Sequence, residues 1–165
     1  MLILLAATLL VPAAQSAPAV DCTDADHRAL DFWLGDWDVY DTASNARVAH
    51  SVISKDAGGC AVHERYDQDV GPGNARLDYH GRSYSIFDPR DGKWQQFYVD
   101  GGGYPRLLTG GFADGAMTFV GSRGNGRSRM VLRAQPDGSV RQSGEFSVDG
   151  GTTWKPGYDF TYRRR

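Results

Sequence analysis

Between positions 60 and 67 polar and apolar residues alternate. Cys60, Val62, Glu64 and Tyr66 fall on one face, with Ala61, His63 and Arg65 on the other. That is the period of a strand with one buried side. The same two-residue period predicts strands over residues 47–54, 82–88, 93–100, 106–109, 116–120, 127–134, 139–147 and 153–164. Turn chemistry separates them, as in Pro89-Arg90-Asp91-Gly92, Asp114-Gly115, Gln135-Pro136-Asp137-Gly138 and Asp149-Gly150-Gly151. Residues 71–74, 101–103 and 121–126 read as loops. With a first strand following residues 32–40, the chain has about ten strands joined by short links, a meander. An open meander of this length exposes two long edges, and closure removes them. The expected fold is therefore all-β, an antiparallel up-and-down barrel with a short N-terminal helix over the polar run at residues 23–30.

The entry to the first strand is Phe32-Trp33-Leu34-Gly35-Asp36-Trp37-Asp38-Val39-Tyr40, four aromatics in nine residues. Gly35 gives the backbone freedom to turn sharply, and Trp37 is the large side chain expected to plug the barrel end. Gly35-x-Trp37 resembles the signature that opens lipocalins and their calycin relatives. The resemblance implies that the tryptophan packs under an arginine of the last strand. The chain ends Tyr162-Arg163-Arg164-Arg165, and alternation places Arg164 with Tyr158, Phe160 and Tyr162. Three further stretches occur in order, Gly58-Gly59-Cys60-Ala61-Val62-His63-Glu64, Trp94-x-Gln96-x-Tyr98-Val99-Asp100 and Asp149-Gly150-Gly151-Thr152-Thr153-Trp154. Together with Asp31-Phe32-Trp33-Leu34-Gly35-Asp36-Trp37-Asp38-Val39, they resemble a family of exported bacterial proteins of unassigned function, calycin-like in fold. That resemblance implies a barrel of the lipocalin or nitrobindin type and a compartment. It implies no activity.

The N-terminal segment changes the picture of where the protein works. Leu2 to Val11 is apolar apart from Thr8, and Ala14-Gln15-Ser16 offers small residues for cleavage. This is the form of a signal peptide, too short to span a bilayer. Residues 1–16 are therefore set apart, leaving 17–165 as a single domain in the periplasm or outside the cell, with no integral membrane segment. Two cysteines remain, Cys22 and Cys60. In an oxidising compartment an even pair is most simply a disulfide. The loop of about forty residues that it closes is worth roughly 4 kcal/mol in the chain-entropy model. Metal binding is not expected, because no Cys-x-x-Cys or His-x-x-x-His spacing occurs. A net charge of −2 with interspersed signs gives no electrostatic case for nucleic acid.

Candidate chemistry is sparse. Nucleophile elbows, Ser-x-x-Lys, His-Glu-x-x-His and phosphate loops are all absent. Ser147-x-Asp149-x-Gly151-x-x-Trp154 fits the Asp-box of sialidase propellers, but one copy cannot build a propeller and reads as a turn device. Glu64 shares the apolar face of its strand, where a carboxylate is costly unless paired or hydrogen-bonded. Gln96 sits likewise between Trp94 and Tyr98, and Gln142 follows Val140. Glu64, Tyr66, Trp94, Gln96, Tyr98 and Gln142 are thus the candidate binding residues for a small lipophilic or aromatic molecule inside the barrel. Two rivals stand beside this reading. One is an enzyme using Glu64 as general acid or base; the other is an envelope interaction protein whose barrel is filled by its own side chains. No cofactor is expected. The alternative is a haem on His50, which shares a strand face with Val48 and Val52 and so could point inward.

Overall fold

The computed structural model describes residues 21–165. The proposed signal peptide at 1–16 lies outside the described residues. Ten strands run in chain order: β1 Gly35–Asp41, β2 Arg47–Asp56, β3 Ala61–Val70, β4 Arg76–Asp88, β5 Lys93–Asp100, β6 Arg106–Ala113, β7 Ala116–Arg123, β8 Gly126–Ala134, β9 Val140–Ser147 and β10 Lys155–Arg164. Each pairs antiparallel with its sequence neighbours, and β1 pairs with β10 to close the barrel. The strand edges that an open meander would expose are thereby satisfied.

Several strands are longer than alternation implied. β4 begins at Arg76 rather than near Arg82, because Arg76, Asp78 and His80 are outward and exposed while Tyr79 turns inward. The loop expected at 121–126 is replaced by a two-residue turn between Arg123 and Gly126. The Asp-box forms a capped turn: Ser147 Oγ donates to Asp149 Oδ1 at 2.7 Å, the Gly151 N–H donates to Ser147 Oγ at 2.8 Å, and Trp154 Nε1 donates to the Gly151 carbonyl at 3.0 Å.

The expected N-terminal helix is absent. Residues 24–30 form turns that lead into a short 3₁₀ segment, Asp31–Trp33. The cause is tertiary: barrel side chains engage the carbonyls that a helix would use. Lys55 Nζ donates to the His27 carbonyl at 3.1 Å, and Trp94 Nε1 donates to the Asp26 carbonyl at 3.2 Å. His27 is itself buried, with Nδ1 2.7 Å from Asp24 Oδ2 and its ring edge-on to Phe87. This segment closes one end of the barrel.

Trp37 completes the closure. It is fully buried, its Nε1 donates to the Trp33 carbonyl at 3.0 Å, and its ring meets Tyr162 edge-on. Register pairs Trp37 with Arg164, whose guanidinium lies 4.4 Å from the indole centroid. Gly35 sits at φ 151°, and a Cβ there would come within 2.6 Å of Arg164 Nη1. Only glycine leaves that arginine its place over the ring.

Cys22 and Cys60 form a disulfide with Cα atoms 5.0 Å apart, tying the N-terminal segment to the start of β3. Thiol labelling of denatured, unreduced protein should therefore modify neither cysteine. Labelling of both would contradict the bond.

Candidate functional site

Alternate residues of each strand point inward, and the interior changes character along the barrel axis. The closed half is apolar, filled by buried Ile53, Val62, Phe119, Leu132 and Val140 beneath Trp33 and Trp37. Next comes a belt of buried polar groups: Ser51 on β2, Glu64 on β3, Ser83 and Ser85 on β4, Gln96 on β5 and Gln142 on β9. Beyond the belt the interior is open, a cavity of ≈ 390 Å³ that reaches the opposite end of the barrel. That volume lies within the usual range for small-molecule sites.

Five of the six candidate residues, Glu64, Tyr66, Gln96, Tyr98 and Gln142, line this one cavity. Trp94 shares their inward parity but sits deeper, 2% exposed and bonded to the N-terminal segment, so it forms floor rather than lining. His50 does not face the interior. Its Nε2 lies 2.6 Å from Asp36 Oδ1 on the outside, because in β2 Ala49, Ser51 and Ile53 take the inward positions. The haem alternative at His50 therefore has no support from its placement. His63 is outward as well, tilted against the exposed Tyr84.

The polar belt is not one direct network. Gln96 Nε2 donates to Ser85 Oγ at 3.0 Å. Gln142 receives the Tyr162 hydroxyl at 2.9 Å and directs its own amide at Met130 Sδ, 3.1 Å away. Glu64 accepts from Ser51 Oγ at 3.1 Å, while Ser83 Oγ and the Tyr162 hydroxyl both stand at 3.4 Å. The Tyr162 proton can serve one acceptor at a time, and the shorter contact goes to Gln142. A buried carboxylate thus holds one good hydrogen bond and two marginal ones. Burial raises its pKa to about 7, with the three hydroxyls and the field of Arg82 pulling the other way.

The mouth adds residues that alternation alone did not single out. Tyr79 and Tyr98 share a hydroxyl contact of 2.5 Å, and Tyr79 also donates to Asp100, which is paired with Arg106 at 2.9 Å. Arg129 is paired with Glu145 at 2.6 Å and lies over the Trp154 ring. The Ser128 Oγ is buried in the lining with no hydrogen-bond partner among the described residues. The Tyr79 position was readable from its parity with Ser83 and Ser85. Arg106 and Ser128 take inward positions on β6 and β8, and Arg129, on the outward parity of β8, reaches the rim beside Glu145; none of the three carried a signal in the sequence.

No known family model matches the chain, and no curated protein matches it.

Proposed function

We propose that this protein is an exported, calycin-like barrel that binds a small lipophilic or aromatic molecule in its interior. The observation that carries this reading is the open ≈ 390 Å³ cavity lined by tyrosine rings and incompletely satisfied polar groups. A protein interior is ordinarily packed close to crystal density, and buried polar groups ordinarily have partners. The cavity departs from both norms at once, as a ligand site does. The open volume also speaks against a barrel filled by its own side chains. Export rests on the form of residues 1–16 and on the Cys22–Cys60 disulfide, a bond that persists in oxidising compartments. The calycin-like assignment of residues 17–165 rests on Trp37 buried under Arg164 at the closed end of an up-and-down barrel.

Ligand-observed NMR with a panel of small aromatic compounds tests the reading. Wild-type protein should give saturation transfer to some of them. Ser128→Phe, which places a ring in the cavity, should reduce that binding by about tenfold or more, as for the loss of a pocket's contact area. Absence of any binding, or binding indifferent to Ser128→Phe, would overturn it.

One observation favours the enzymatic rival. A carboxyl whose pKa is about 7 is matched to proton transfer near neutrality. In that reading Glu64 is the acid or base, and turnover should vanish in Glu64→Gln.

A further inference from the structure

The cavity's charges are unevenly settled. At the mouth, Arg106 is neutralised by Asp100 and Arg129 by Glu145. Arg82 is engaged elsewhere, donating to Asp67 and to the carbonyls of Tyr66 and Gly81. Glu64 alone among the charged lining residues has no oppositely charged partner within ion-pair distance among the described residues. Its hydroxyl donors leave acceptor capacity unused, since a carboxylate offers about four lone-pair sites. Above it stand aromatic rings from three strands: Tyr66 on β3, Tyr98 on β5, and Tyr158 and Phe160 on β10. Tyr158 and Phe160 stack at 5.2 Å, and Tyr66 lies 6.5 Å from Phe160. A lone carboxylate beneath electron-rich rings is the arrangement that attracts an organic cation, through its charge and through the ring faces.

Resting on the cavity-binding reading above, we propose that the ligand is a small aromatic cation, a protonated arylalkyl amine. Its ammonium sits on the Glu64 carboxylate and its ring lies among the tyrosines. An anion is disfavoured by the same geometry, because it would bring a second negative charge against Glu64 while both mouth arginines are already paired. A neutral molecule gains the rings but leaves the carboxylate unpaired.

Binding of this kind is linked to protons. The titratable groups that face Glu64 across the cavity are Tyr66 on its own strand, Tyr79 on β4, Tyr98 on β5, Arg106 on β6, and Tyr158 and Tyr162 on β10, with Arg129 and Glu145 paired at the rim and Arg82 acting on it from the outer face of β4. Burial holds Tyr66, Tyr98 and Tyr162 in the neutral form, and Arg106, Arg129 and Glu145 are engaged in ion pairs. Glu64 is left as the group that changes charge near neutral pH. Below about 7 it carries a proton and cannot pair with an ammonium.

Three probes that share a phenyl ring and a short alkyl arm test the proposal: 2-phenylethylamine, 2-phenylethanol and 3-phenylpropionate. Each is titrated calorimetrically into wild-type protein and Glu64→Gln at pH 8 and pH 6. The amine should bind wild type about tenfold or more tighter than the alcohol at pH 8, a difference of one desolvated ion pair. The propionate should bind weakest. Amine affinity should fall about tenfold between pH 8 and pH 6 while alcohol affinity holds, as a single linked proton requires. In Glu64→Gln the amine's advantage and its pH dependence should both disappear. If the alcohol or the propionate binds wild type as tightly as the amine, the cation proposal is overturned and the cavity reading stands. If none of the three binds, both are overturned. Should Glu64→Gln fail to fold, the two pH values in wild type decide the matter alone.

Discussion

Replacing Trp37 with alanine is expected to lower the unfolding free energy by about 3–5 kcal/mol, the range for large aromatics truncated in a core. Three losses combine. The indole is fully buried, so its removal leaves a hole at the barrel end, among Trp33, Tyr162 and Arg164. The Trp33 carbonyl loses the Nε1 donor at 3.0 Å and is left unsatisfied. The Arg164 guanidinium loses the ring beneath it, a contact worth about 0.5–2 kcal/mol. Refilling is hindered, because Trp33 and Leu30 are already fully buried and held by the disulfide-tethered segment. Equilibrium urea unfolding measures the change. A loss well under about 1 kcal/mol would contradict the role of Trp37 as the plug of the closed end. Arg164→Ala should cost only the cation–π share, and the double variant should cost less than the two single changes added together.

The fold was legible because closure is a consequence of counting. Ten alternating segments with short turns and one hydrophobic face each leave an antiparallel meander little choice but to curl on itself. What alternation missed, it missed for physical reasons. β6 runs on through Gly110 and Gly111 to Ala113, past the 106–109 that alternation marked. At Gly110 a Cβ would lie 1.8 Å from the Thr118 carbonyl oxygen, so the glycine marks a close approach of strands rather than a turn. The N-terminal run has helix-compatible residues but no helix, since Lys55 and Trp94 claim its carbonyls from the barrel wall. Those two contacts span long sequence distances and leave no local trace.

Of the candidate site, sequence parity brought five inward residues to one cavity, and the reason is simple. On a strand of a closed barrel, knowing one inward residue fixes every second one. Depth along the axis is a different matter. Trp94 and Gln96 share a parity, yet one is floor and the other lining. Depth is set by barrel shear, and period-two alternation does not report it. The serines that hold the belt, Ser51, Ser83 and Ser85, were silent because a small hydroxyl on an inward face looks like any other small residue.

Glu64→Gln is expected to stabilise the protein at pH 8 by about 3 kcal/mol and to leave it little changed at pH 4, relative to wild type. The unfolded chain releases the Glu64 proton near the ordinary value of 4.5, whereas the folded protein keeps it to about 7. Between those limits the folded state binds a proton that the unfolded state has lost, so each step up in pH favours unfolding. Below 4.5 both states are protonated and the penalty is absent; above 7 both are ionised and it is complete. Glutamine is neutral throughout and can use the same Ser51 and Ser83 hydroxyls as donors or acceptors. The difference between variant and wild type cancels the surface pairs they share, among them His80 with Asp67. Urea unfolding of both proteins at half-unit steps from pH 4 to pH 8 gives the curve directly. A flat difference across that range would mean that Glu64 is either solvated or fully paired in the folded state, and its role as the cavity's unmet charge would fall. A rising difference would mean that the barrel tolerates a carboxylate it would be more stable without. Stability surrendered at a cavity-lining position is what the proposed binding site requires, with a ligand supplying the missing partner.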